Sequence, residues 1–142
     1  MKNHFAEFCS ILLLAVPLIG CSTNSAASGE RTGPAINEIT TSGKSFSIDC
    51  VPTSITVTAN ITDPSGITRA VLSSRVGTDH PYTPVDMDHL SSNNFSATVK
   101  ALDIPVGEYG VLEFYIVAEG VEGNQAKSKI NTSVQLLPCV SN

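Results

Sequence analysis

Between residues 55 and 62 apolar and polar side chains alternate without a break: Ile55, Val57, Ala59 and Ile61 against Thr56, Thr58, Asn60 and Thr62. A period of two in a β-branched run predicts a strand with one buried and one wet face. The run closes in Asp63-Pro64-Ser65-Gly66, where proline presets the second turn position and the Asp and Ser side chains bond their own backbone. The next segment, 67–76, sets Ala70, Leu72, Ser74 and Val76 on one face, and the placing of Ile67 and Val71 predicts a bulge. Tyr82 to Met87 reads as an edge strand, because Pro84 cannot donate to a ladder, and Asp88 to Asn94 reads as loop. Phe95, Ala97 and Val99 alternate with Ser96, Thr98 and Lys100. After a turn at 105–110 comes the longest apolar run, 111–118, expected to point Leu112, Phe114, Ile116 and Ala118 inward and Glu113, Tyr115 and Val117 outward. A turn at 120–124 leads to a last strand over 128–137, with Ile130, Thr132, Val134 and Leu136 on one side; Ile36 to Thr41 opens the set.

About seven short strands with turn punctuation and no helical stretch after the first twenty residues predict an all-β domain, a β-sandwich with Greek-key connections. The strand ending in DPSGI, the NFSATV strand, and EFYIVAEG with GN a few residues on resemble bacterial immunoglobulin-like or fibronectin type III-like modules of exported proteins. Asp63, Gly66, Phe114, Ile116, Ala118, Gly123 and Asn124 carry the match. Glu119 stands near a position where such modules usually have Asp, and the core tryptophan of antibody domains is missing from the sequence. The resemblance implies an immunoglobulin-like sandwich over residues 35–142 and is nearly silent on function. If the strands alternate up and down, Cys50 and Cys139 fall at one pole of the sandwich. The turns at 63–66 and 120–124 then share the opposite pole, from which the preceding segment leaves.

The first twenty residues have a different pattern. Lys2 precedes an apolar core, Ile11-Leu12-Leu13-Leu14-Ala15-Val16, too short for a membrane-spanning helix of about 20 residues. Leu18-Ile19-Gly20-Cys21 then resembles the lipobox of a bacterial lipoprotein, in which a small residue precedes the cut and the new N-terminal cysteine carries diacylglycerol. The resemblance implies a signal peptide at 1–20, lipidation of Cys21, and export to the cell envelope with a membrane anchor. An ordinary cleaved signal would instead release the protein. Residues 22–34, STNSAASGERTGP, are small and polar and read as a flexible tether holding the domain about 20 Å from the bilayer.

With Cys9 lost in the signal and Cys21 acylated, Cys50 and Cys139 remain as an even pair in an oxidising compartment, and a disulfide between them is expected. The alternative, a metal site, lacks CxxC or His spacing.

The net charge of −5 removes the electrostatic case for nucleic acid or for adsorption to an anionic membrane. Asp63, Glu119, Glu122 and Asn124 lie at turns where oxygen ligands suit calcium, against the alternative of a capped turn with a solvated acidic rim. For catalysis only His80 and His89 follow the signal, both in polar surroundings, with no nucleophile elbow. Asp86 and Asp88 form a candidate carboxylate pair on one strand face, with no cleft implied. No other cofactor is suggested.

Three functions stay open. A lipid-anchored binding or adhesion module, without catalytic activity and engaging a protein or glycan, should show an exposed aromatic or apolar patch at one pole or on one sheet. A structural or accessory subunit of an envelope complex should show a long unprotected edge strand. The third is a small hydrolase or inhibitor, and an enzyme should show a concave pocket containing His80 or His89 with a carboxylate in contact. Tyr82, Tyr109 and Tyr115 are the aromatic candidates for contact.

Overall fold

The computed structural model describes residues 32–139. Residues 1–31, on which the expected signal peptide with Cys9, the expected lipidation of Cys21 and most of the expected tether fall, lie outside the described residues, as do residues 140–142.

The fold is all-β and two-layered. Its strands are β1 (Ala35–Thr41), β2 (Ser45–Ser47), β3 (Ser54–Thr62), β4 (Ile67–Val76), β5 (Thr83–Asp86), β6 (Asp88–Ser91), β7 (Asn94–Lys100), β8 (Gly110–Gly120), β9 (Gln125–Lys127) and β10 (Asn131–Leu137). One sheet has the order β1-β3-β7-β6, the other β2-β10-β8-β4-β5, with β9 pairing the far end of β8. All neighbours are antiparallel except β2, which runs parallel to β10. The seven predicted segments are all strands, and three more of three or four residues join them.

The alternation in β3 and β8 builds the core. Ile55, Val57, Ala59 and Ile61 of β3 face Leu112, Phe114, Ile116 and Ala118 of β8 across one buried cluster, none of the eight more than 1% exposed. The expected irregularity in β4 is a register shift between Ile67 and Arg69, which leaves Ala70, Leu72, Ser74 and Val76 inward as predicted.

Three expectations are corrected. Residues 88–94 are not all loop, because Asp88 to Ser91 pairs with β7. Met87 is buried where the chain crosses from one sheet to the other, so Asp86 and Asp88 belong to different sheets and do not share a face. The strand expected over 128–137 is broken. Ser128 bonds Ile116 through both its amide and its hydroxyl, and Asn131 Oδ1 accepts from the amide and hydroxyl of Ser133, kinking the chain. Ile130 is therefore 53% exposed, and only Val134 and Leu136 of the predicted face are buried.

The poles are arranged as predicted. Cys50 and Cys139 form a disulfide with Cα atoms 5.5 Å apart. At the other end the Gly66 carbonyl accepts from the Val121 amide, joining the two turns. The approach to β1 is packed: Pro34 is buried and the Thr32 carbonyl accepts from the Asn124 carboxamide at 2.8 Å.

Candidate functional site

The end at which the chain enters the domain is built of turns that bond their own side chains, with Asn124 Oδ1 buried and without a hydrogen-bond partner. Asp63 Oδ1 accepts from the amide and hydroxyl of Ser65, and Oδ2 accepts from the Asn124 carboxamide at 3.2 Å. These bonds, the Ser65 hydroxyl first, hold the Asp63 carboxyl below its ordinary range. The structure thus brings Asp63 and Asn124 together, but Asn124 presents NH donors to the carboxylate where a cation would require acceptors. Glu119 accepts from Gln125 at 3.4 Å, and Glu122 lines the same crevice as Asp63 and Asn124. Among the described residues no group of three or more His, Cys, Asp and Glu side chains could hold a metal ion. Of the four calcium candidates, Asp63 and Asn124 are joined in a capped turn.

The opposite end, which carries the disulfide, differs in kind. Nine large hydrophobic side chains stay exposed among the described residues, and six are here: Val51, Leu102, Val106, Tyr109, Val111 and Leu137. Val51 is 90% and Val106 98% exposed. They come from four separate stretches: the β2–β3 loop, the 3-10 turn Ala101–Asp103 with the loop after it, the start of β8, and the end of β10. No single segment would show them as a group. Of these only Tyr109 stood out in the sequence; a valine between Pro105 and Gly107 was the available sign that the turn there is not purely polar.

Beside this surface a cavity of about 290 Å³ opens between the layers. Val76, Val85, Val99, Ile104, Pro81 and Pro105 give it apolar walls, and Ser74, His80 and Asp103 contribute polar atoms. His80 Nε2 lies 2.9 Å from Glu108 Oε1, so one predicted histidine does meet a carboxylate at a pocket. No hydrogen bond joins Ser74 to His80 among the described residues. His89 lies elsewhere, stacked on Phe95 with its Nε2 against the Ser92 carbonyl oxygen.

The tyrosines Tyr82 and Tyr115 pack edge to face on the outer side of the β4–β8 sheet, ring centres 4.8 Å apart. Arg75 lies over Tyr82 and Lys127 over Tyr115, at 4.4 and 3.6 Å. Arg75 donates through Nε and Nη2 to Glu113 at 2.9 and 2.7 Å, and Tyr82 donates its hydroxyl to the same oxygen. The Arg75 bonds, then that of Tyr82, hold Glu113 below the ordinary carboxylate range; burial, then Glu113, pushes the Tyr82 phenol up. Both rings are half-buried and spent on their neighbours, a cross-strand ladder more than a contact platform.

The sheet edges are short or interrupted. β1 has a register shift between Asn37 and Thr40, β6 one between His89 and Ser91, and β2 and β9 have three residues each. Just after β5, Met87 N–H donates to the Ala70 carbonyl, so the alternation back along the strand turns Pro84, with its absent N–H, toward solvent.

No protein-family model matches the chain, and no curated protein gives a significant match to it.

Proposed function

We propose that this chain is an exported lipoprotein whose immunoglobulin-like domain is a non-catalytic binding or adhesion module, engaging a protein or glycan through the disulfide-bearing end. The observation that carries this reading is the clustering of exposed apolar side chains at the end opposite chain entry. Leaving Val51, Leu102 and Val106 in water brings no stability to an isolated domain, and exposed apolar side chains gathered at one end favour an interaction site there. The LIGC sequence at 18–21 supports signal cleavage after residue 20 and lipidation of Cys21. A disulfide persists in an oxidising compartment, which agrees with export. With lipid at one end and the apolar surface at the other, the domain presents that surface away from the membrane.

The strand order supports the finer reading of the fold. Labelled A to G, the sheets run A-B-E-D and A′-G-F-C-C′, the arrangement of immunoglobulin-like Greek keys with a strand added at each edge of the second sheet. The disulfide is a departure, since it ties the A′–B loop to the chain after G rather than strand B to strand F.

Export is tested by labelled palmitate. Label is expected in the wild-type product and absent from Cys21→Ser; label in neither removes the anchor from the proposal. The accessory-subunit reading, through strand addition, is weakened by the short, bulged or proline-bearing edges.

A small hydrolase is favoured by one specific observation, the His80–Glu108 contact at the cavity mouth. Ser74 would have to serve as nucleophile, and its hydroxyl is not bonded to the imidazole. Turnover of p-nitrophenyl acetate that disappears in His80→Ala would establish that reading over the first.

A further inference from the structure

The inner face of β4 is apolar except at one place. Ala70, Leu72 and Val76 enter the core, and between them Ser74 is 6% exposed. A hydroxyl withdrawn from bulk water without a protein partner costs free energy that alanine at the same place would not incur, and Ser74 Oγ, unlike Ser47 Oγ and Asn124 Oδ1, is not sealed off but opens to the cavity. Among the described residues no side chain or backbone group bonds the Ser74 hydroxyl, and it lines the cavity between the layers. The walls around it are Val76, Val85, Val99 and Ile104.

Charge at the mouth is internally matched. His80 faces Glu108 at 2.9 Å, and Arg75 is held by Glu113 and by the Thr78 carbonyl. Neither side chain is left to select an anion, nor does Asp103 alone favour entry of a cation past Arg75. Size narrows the occupant further. A dry cavity of about 150 Å³ holds benzene, and this one, at about 290 Å³, is roughly twice as large. We propose that the cavity is a binding pocket for an uncharged aromatic hydroxyl compound of about two fused rings, whose oxygen bonds Ser74. This goes beyond the reading of the outer surface and stands without it.

The test uses the full-length chain carrying Cys21→Ser, in detergent-free buffer, with valine and isoleucine methyl groups observed by NMR. Titration with 2-naphthol is expected to shift the methyls of Val76, Val85, Val99 and Ile104 saturably. Charged 2-naphthoate should bind at least tenfold more weakly. Ser74→Ala should weaken 2-naphthol about three- to tenfold, the range of one hydrogen bond, and leave naphthalene unchanged. Val99→Phe should abolish all binding by filling the space. Ile104→Phe at the rim serves the same purpose if the thermal transition shows that Val99→Phe does not fold. Tighter binding of 2-naphthol than of N-acetyltyrosinamide assigns the site to a free small molecule, and the reverse order to a tyrosyl side chain of a partner. Absence of saturable shifts up to the solubility limit, equal affinity for naphthoate, or unchanged 2-naphthol affinity in Ser74→Ala overturns the proposal. Leu102→Asp and Val106→Asp lie on the outer surface and should leave this titration as it is.

Discussion

The carboxamide oxygen of Asn124 occupies the space where a Cβ on Gly120 would stand, and Asp63 Oδ2 lies 2.9 Å from the same point. Gly120 has no left-handed backbone to explain it; the residue is glycine because Asn124 folds back over it to reach Asp63 and the Thr32 carbonyl. Gly120→Ala should therefore destabilise by about 1–3 kcal/mol, the usual cost of forcing an extra methyl into a packed site. Thermal unfolding checks this, and Gly120→Ala combined with Asn124→Ala should recover part of the loss.

The disulfide closes a loop spanning a sequence separation of 89 residues. On the chain-entropy model a loop of that length contributes about 4–5 kcal/mol. Cys50→Ala with Cys139→Ala is expected to lower stability by about 2–5 kcal/mol while the strand signal in circular dichroism persists below the transition. Urea unfolding under reducing and non-reducing conditions measures it.

Acid should weaken the domain before base does. Asp63, Asp86 and Glu113 are all held below their ordinary values, by Ser65, Arg69 and Arg75 respectively. A carboxyl whose folded pKa is depressed adds stability that is complete above its unfolded pKa and is lost as pH falls through the folded one. The melting temperature is thus expected to be flat from about pH 7 to 5 and to fall below about pH 4, where unfolded carboxyls take up protons. Glu113→Gln should flatten part of that fall.

Surface and core substitutions separate the roles of the apolar residues. Phe114, fully buried, should cost about 3–5 kcal/mol when replaced by alanine. Leu102→Asp and Val106→Asp, at 78% and 98% exposed positions, should change stability by no more than about 0.5 kcal/mol. Equilibrium denaturation of the three variants tests the contrast.

Much of this was legible from residue order alone. Alternation in β3 and β8 named the core, Ser74 was placed on the inner face of β4, and counting strands put Cys50 beside Cys139 and Asp63 near Asn124. β2, β6 and β9 were not, because three or four residues display no period; β2 also has a distant partner, with Phe46 pairing Leu136. Ile130 was misplaced because side-chain bonds of Ser128 and Asn131 interrupt a strand whose apolar spacing continues through them. The apolar end was not visible because four unconnected stretches contribute to it, and Glu108 was missed as the partner of His80, 28 residues away.

The most direct test of the binding end places a photo-reactive amino acid at Val106, and separately at Val121 near chain entry, in the otherwise intact chain displayed on its native cells. Discrete adducts from position 106, suppressed by Leu102→Asp and not formed from position 121, are the expected result. Adducts from position 121 alone, or an identical pattern from both, would show that the disulfide-bearing end is not where this domain meets its partner.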